Sequence, residues 1–295
     1  MKALLFLFIP FLFFTSSSVG QVQRSVDENS GKLEGKATFM TIFVDTSEDI
    51  WESEERDHFF REFEKSQEWI VDQAFGYGQE VEFDNNAFLF DNQEIIFVDA
   101  INMGENSPRE IVRKIVHKRG YNSFKEFLKR NRYDGPISKL KIVLFVKSRG
   151  RSHAYKRRSI DNVDIAVVYC QSTFGMRTDQ YVMSHEILHQ FGAWDLYHGE
   201  SQTKESAEKA KELYPNSIMI NTYKNRSELE IDRLTAWRIG WYEYESEFDQ
   251  FAWGNVWEAK QQENAANKKS KYSIKFDLDP EKRRKKKEAK KAKNR

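Results

Sequence analysis

Two histidines four residues apart are the most informative feature of this 295-residue sequence. His185 and His189 stand in the segment 183–197, MSHEILHQFGAWDLY, and Glu186 directly follows the first of them. Residues four apart share one face of a helix, so both imidazoles can bind the same metal ion. Glu186 would lie toward the open side of that ion, where a carboxylate can take a proton from water. The spacing therefore predicts a catalytic zinc site with Glu186 as general base.

The residues after the second histidine supply a third ligand. Gly192 predicts an abrupt helix end, because glycine adopts positive φ at little cost. The chain can then turn back and bring Asp195 to the metal as an oxygen ligand. Three protein ligands and one water make a catalytic zinc site with an open position. In the alternative, Asp195 is an ordinary turn residue or His198 is the third ligand.

The extended motif HExxHxxGxxD at 185–195 is followed by the sequence Ser-Ile-Met at 217–219. Together they resemble the metzincin clan of zinc peptidases, whose signature joins this motif to a methionine turn. The segments 195–197, DLY, and 234–241, LTAWRIGW, also resemble immune inhibitor A-like secreted bacterial peptidases.

The metzincin resemblance implies a role for each motif residue. The zinc ligands would be His185, His189 and Asp195, the general base Glu186, and the hydrophobic floor beneath the metal Met219.

Some members of the clan place a tyrosine two residues after this methionine. In this sequence Tyr223 is the candidate oxyanion donor, but it lies four residues after Met219.

Apolar patterning predicts the elements that must position these residues. The predicted strands are 38–44, 81–90, 94–98, 140–146 and 163–169. The predicted helices are 51–71, 108–120, one through 124–128, the motif-bearing helix 179–190, a surface helix within 201–214, and a final helix 228–239. The basic segment 147–159 is predicted to be an exposed loop.

This order of elements predicts an α+β fold with an α/β-type upper subdomain. The resemblance implies a twisted sheet with two long helices, the second bearing the motif, and a smaller C-terminal subdomain with the methionine turn and a last helix. Substrate would lie in the cleft between them, along an edge strand that we place at 163–169.

The chain ends differ in composition from the middle. Residues 1–20 have the short apolar run of a signal peptide with cleavage after Gly20, which predicts a secreted or periplasmic protein, the alternative being a retained membrane anchor. A flexible leader at 21–36, a catalytic domain at 37–258 and a polar extension at 259–281 would follow. A single Cys170 excludes an intramolecular disulfide.

The charge is distributed unevenly along the chain. Residues 282–295 contain ten Lys or Arg and one Glu, a net charge of +9, so the rest carries −8 against a total of +1. This basic tail is typical of a solvated extension, or of contact with an anionic surface, without specific nucleic-acid recognition.

These features predict a secreted zinc metallopeptidase, a monomeric hydrolase that cleaves peptide or protein substrates with metal-activated water. One alternative is a secreted binding or surface-attachment protein in which zinc is structural. Another is a zinc amidase acting on cell-wall or small peptides.

Overall fold

The computed structural model describes residues 31–46, 49–85, 96–98, 108–199, 201–223 and 226–252. Its strands are β1 (Gly35–Thr46), β2 (Val81–Asp84), β3 (Ile96–Val98), β4 (Leu140–Arg149), β5 (His153–Ile160) and β6 (Val163–Gln171). Its α-helices are α1 (Ser53–Gly76), α2 (Pro108–Lys118), α3 (Phe124–Arg130), α4 (Gln180–Gln190), α5 (Lys204–Leu213) and α6 (Arg233–Ile239). The predicted mixture of helices and strands is confirmed.

One mostly parallel sheet forms the centre of the molecule. Its strand order is β2-β1-β4-β6-β5, and β3 pairs with the far end of β1. All these pairings are parallel except that of β5 with β6. The central strands are almost continuous apolar runs, as expected for strands that are buried on both faces.

Side chains that alternate along the strands enter two separate cores. Phe39, Phe43 and Phe145 point to one face, where Phe59 and Phe63 of α1 cover them together with residues of α4 and α6. The other face is covered by α2 and α3, and its strand residues include Met40, Ile42, Val44, Ile142, Leu144 and Val146. The sheet therefore separates two helical layers.

The segment 147–159 is not the exposed loop that we predicted. Its first residues extend β4 to Arg149, and His153–Ile160 form β5. Basic side chains hide this strand from a hydrophobic-pattern analysis, because an edge strand needs fewer apolar residues than an interior one.

The predicted edge strand is also wrong. Residues 163–169 belong to β6, which lies between β4 and β5, so the edge on this side of the sheet is β5. This edge strand is antiparallel to its neighbour.

The helices differ in length from the expectation of two long ones. The helix α1 has 24 residues, but α4 has only 11. The last helix, expected from residue 228, begins at Arg233 because Asp232 caps it by accepting a hydrogen bond from the backbone N–H of Thr235 at 2.9 Å. Residues 226–228 form a separate 3-10 turn.

The end of the predicted flexible leader is part of the fold. Leu33 is fully buried, and its backbone N–H donates to the carbonyl of Ile239 at 2.9 Å. The strand β1 then begins at Gly35, two residues before the expected domain start. The signal peptide, the polar extension, the basic tail and most of the leader lie outside the described residues. No helix in the described ranges is long and apolar enough to cross a membrane.

Candidate metal centre

The helix α4 presents the two motif histidines. Asp179 caps its N-terminus by accepting hydrogen bonds from the backbone N–H groups of Tyr181 and Val182 at 3.2 and 3.4 Å. One face of α4 packs in the core below the sheet, and His185 and His189 lie on adjacent turns of the helix. Their rings meet edge to face, with centroids 4.5 Å apart.

Gly192 reverses the chain directly after this helix. Its φ is +110°, and a Cβ at this position would lie 3.0 Å from the carbonyl oxygen of Arg238. The reversal is held by a hydrogen bond from the Leu196 backbone N–H to the carbonyl of Met219, at 3.0 Å. Asp195, which lies between these two points, returns toward the histidines.

Three potential ligand atoms converge at one point. Asp195 Oδ1 lies 3.2 Å from His185 Nε2 and 3.0 Å from His189 Nε2, and the two nitrogens are 3.1 Å apart. Two ligands of a tetrahedral zinc, each about 2.0–2.1 Å from the ion, lie roughly 3.3 Å from each other. The three side chains therefore fit one zinc ion with little adjustment.

Backbone carbonyls orient both imidazoles. His185 Nδ1 lies 3.1 Å from the carbonyl oxygen of Ile218, and His189 Nδ1 lies 3.0 Å from that of Ala193. A carbonyl oxygen only accepts, so each Nδ1 carries a proton, and each ring in its neutral state has its lone pair on Nε2. Second-shell contacts of this kind hold metal-binding histidines in other proteins.

When both histidine rings are neutral, lone pairs of all three side chains point to the convergence point. Two Nε2 lone pairs and a carboxylate oxygen face each other, and with neutral rings no proton lies between them. Burial alone would raise the pKa of Asp195, but in the metal-free protein the positive charge of protonated His189 and His185 and their hydrogen bonds outweigh burial and hold this pKa well below its usual range. The three groups together are suited to bind a cation.

Glu186 lies beside this cluster as a buried carboxylate. It is 4% exposed, and its Oε2 accepts no hydrogen bond from any described residue. Burial raises the pKa of Glu186 to about 8, although the charge of His185 acts in the opposite direction. Such a group is in the range required of a general base near neutral pH.

The predicted methionine turn contacts the cluster through its backbone. Met219 is fully buried, and the preceding carbonyl, that of Ile218, is the partner of His185. Ser217 stabilises the turn, because its Oγ donates to Asp232 Oδ2 at 2.6 Å and accepts from the Met219 backbone N–H at 3.1 Å. The turn thus links the start of α6 to the first histidine.

The remaining sequence candidates lie farther from the convergence point. Tyr223 is 37% exposed, and its hydroxyl hydrogen-bonds Ser172 rather than a ligand atom. The alternative ligand His198 is exposed and lies outside the cluster.

Two neighbours of the cluster were given no role from the sequence, although Tyr197 ends the segment DLY at 195–197. The ring of Tyr197 stacks on that of His185 at a centroid distance of 6.4 Å and an interplanar angle of 20°. Arg151, which precedes β5, donates from Nη2 to the Tyr197 hydroxyl at 2.5 Å. The chain reversal after α4 brings Tyr197 to the site, and the connection between β4 and β5 brings Arg151 to it.

Comparison with known proteins finds no matching family model, no matching curated protein and no matching solved structure. The metzincin resemblance therefore depends on the motif residues alone.

Proposed function

We propose that this protein is a zinc-dependent peptidase whose zinc is bound by His185, His189 and Asp195. The main support is the convergence of two imidazole Nε2 atoms and a carboxylate oxygen within 3.0–3.2 Å of one another. A divalent cation at this point would bind all three atoms at once. The neighbouring Glu186 supplies what hydrolysis needs in addition to the metal.

When bound, zinc would act as a Lewis acid that polarises the peptide carbonyl and makes the attacking water more acidic. Glu186 takes a proton from this water as its oxygen bonds to the carbonyl carbon. The same carboxyl then gives the proton to the leaving nitrogen as the C–N bond breaks. The low-polarity surroundings of Glu186 favour its protonated form and so assist the first transfer, in which the carboxylate takes the proton from the water.

The donor set alone does not distinguish zinc from Fe(II), since two histidines and one carboxylate also bind non-haem iron. The buried Glu186 favours hydrolysis, because iron oxygenases have no need of a general base beside the metal. Elemental analysis of the purified protein distinguishes the two ions.

The number of ligands favours a catalytic rather than a structural metal. Structural zinc sites are closed by four protein ligands, whereas catalytic sites keep one position open. Among the described residues, only three side chains form the cluster. This count argues against the alternative of a binding protein with structural zinc.

The edge strand β5 offers a place for the peptide. An edge strand has unpaired backbone groups, to which an extended peptide can add as a further strand. The strand starts at His153, two residues after Arg151, whose side chain reaches the cluster through Tyr197. A peptide along β5 would therefore pass close to the metal and Glu186.

A comparison of the wild-type protein with Glu186→Gln tests the proposal. Both proteins are loaded with zinc, and peptide-library hydrolysis is followed by mass spectrometry. We expect equal zinc content and a loss of about 10²–10⁴-fold in hydrolysis for Glu186→Gln, the usual contribution of a general base. A chelator should stop wild-type cleavage and added zinc restore it. Full activity in Glu186→Gln would overturn the mechanism, and an inactive wild-type protein that unfolds without zinc would favour a structural metal.

A further inference from the structure

Arg151 lies one aromatic ring away from the proposed metal. Its guanidinium donates to the Tyr197 hydroxyl at 2.5 Å and lies over the Tyr197 ring, 5.6 Å from the centroid. The same ring stacks on His185. Asp195 and Glu186 are close enough for their charges to act on Arg151. The arginine therefore belongs to the electrostatic surroundings of the cluster.

Arg151 forms no direct ion pair with a described carboxylate. In the ranges that the structure describes, no carboxylate forms an ion pair with it, whereas Arg226 lies 2.5 Å from Asp179 and Arg233 pairs with Glu245 at 3.0 Å. Tyr197 does not balance the charge of Arg151, because a phenol with a reference pKa of about 10 is neutral near pH 7.

The loaded site would carry one positive charge in excess. Two charges on the metal are balanced by the carboxylates of Asp195 and Glu186, and both histidine rings are neutral when only Nδ1 is protonated. Arg151 then adds a further positive charge, and no described carboxylate forms an ion pair with it. A site with this surplus attracts an anionic group of the substrate.

We propose that Arg151 binds a carboxylate of the substrate, so that the enzyme prefers peptides with a carboxylate close to the scissile bond. This inference rests on the proposed peptidase function. The residue is exposed, and its guanidinium has five N–H donors in a planar fork that suits a carboxylate. The hydrogen bond to Tyr197 uses one of these donors and orients the remainder. The carboxylate belongs to an acidic side chain or to a free C-terminus.

Paired peptides distinguish these two sources. Peptides that contain a bond cleaved in a peptide library are resynthesised as two pairs. The first pair is end-blocked and has either Glu or Gln beside the scissile bond. The second pair has neutral side chains and ends in either a free acid or an amide. For the wild-type protein we expect the carboxylate form of one pair to be preferred by about tenfold or more in kcat/KM, the effect of a hydrogen-bonded charge.

Three variants assign the preference to Arg151. Arg151→Gln should reduce the ratio within each pair to about one, and Arg151→Lys should keep part of it. Arg149→Gln is the matched control, because Arg149 is a neighbouring arginine whose Nε donates to Gln171 at 3.0 Å. The control should keep the wild-type ratio, and circular dichroism and zinc content should show that each variant is folded and loaded.

A binding measurement separates this inference from the peptidase function. Fluorescently labelled random hexapeptides, as free acids or amides and with or without Glu, are titrated into zinc-loaded Glu186→Gln and Glu186→Gln/Arg151→Gln proteins. Tighter binding of a carboxylate form that Arg151→Gln abolishes supports the inference even if the wild-type protein cleaves nothing, in which case only the peptidase proposal fails. Equal binding of all forms, or a preference that survives in Arg151→Gln, overturns it.

Discussion

The Nε2 atoms of His185 and His189 lie 3.1 Å apart although both rings donate their Nδ1 protons to backbone carbonyls. Two neutral imidazoles in this arrangement have no proton to share and present two lone pairs to the same point. Asp195 adds a negative charge 3.0–3.2 Å from both nitrogens. The fold thus holds three groups together that a cation would stabilise.

Asp195→Asn should weaken zinc binding strongly. The substitution keeps the side chain's size but removes the negative charge of a ligand. We expect the dissociation constant to rise by more than about 100-fold, because even the loss of an outer-shell partner costs 10–100-fold. Competition with a chromophoric chelator measures this constant. His198→Asn is the control and should bind zinc like the wild-type protein, since His198 lies outside the cluster. If His198→Asn weakened zinc binding and Asp195→Asn did not, His198 would be the ligand instead of Asp195.

Gly192→Ala should destabilise the chain reversal after α4. The new Cβ would meet the Arg238 carbonyl at 3.0 Å, and the φ of +110° is unfavourable for alanine. We expect the free energy of unfolding to fall by about 1–3 kcal/mol, together with weaker zinc binding, because Asp195 follows the turn. Gly78→Ala is the control: its φ is also positive at +67°, but no atom lies within 4 Å of the added Cβ. If denaturant unfolding showed the same loss of stability for Gly192→Ala and Gly78→Ala, the contact with the Arg238 carbonyl would have no role in the effect.

Ser217→Ala should affect the metal through the methionine turn. The variant loses the hydrogen bonds of Ser217 to Asp232 and to the Met219 backbone, which hold the carbonyl that orients His185. We expect a loss of about 1–3 kcal/mol in stability and about tenfold or more in zinc affinity. Ser123→Ala removes the N-cap of α3 far from the site, and should cost about 1 kcal/mol without changing zinc affinity. If both variants bind zinc equally well, the turn does not position His185.

The metal-free protein should lose stability as the pH rises from 5 to 8. Burial raises the pKa of Glu186 to about 8, above the value of about 4.3 expected in the unfolded chain. Between these values the folded state binds more protons than the unfolded state, so stability falls with rising pH by up to about 1.4 kcal/mol per unit. Denaturant unfolding at pH 5, 6.5 and 8 should give a steeper fall for the wild-type protein than for Glu186→Gln. Parallel curves would contradict the raised pKa.

The central part of the fold follows from local sequence patterns. The segment LKIVLFV at 140–146 is apolar at every position but one, as an interior parallel strand requires, and α4 was predicted to within one residue. The edge strand β5 was missed, because its pairing depends on β6 rather than on its own polar sequence.

The site was only partly predictable for a similar reason. A spacing of four residues brings His185 and His189 together on any helix, so their proximity needs no tertiary information. The position of Asp195 depends on the turn at Met219, more than twenty residues later, and was accessible only through the motif. Arg151 lies in the connection between β4 and the edge strand β5, and no local sequence pattern connects it to Tyr197.

X-ray absorption spectroscopy of the zinc-loaded protein tests the central claim most directly. We predict one tightly bound zinc per chain, with nitrogen and oxygen ligands at about 2.0–2.1 Å and the scattering signature of two imidazoles. The number of imidazoles should fall to one in His189→Ala. A protein that binds no zinc, or a spectrum with a sulfur ligand at about 2.3 Å from Cys170, would contradict the assignment of His185, His189 and Asp195.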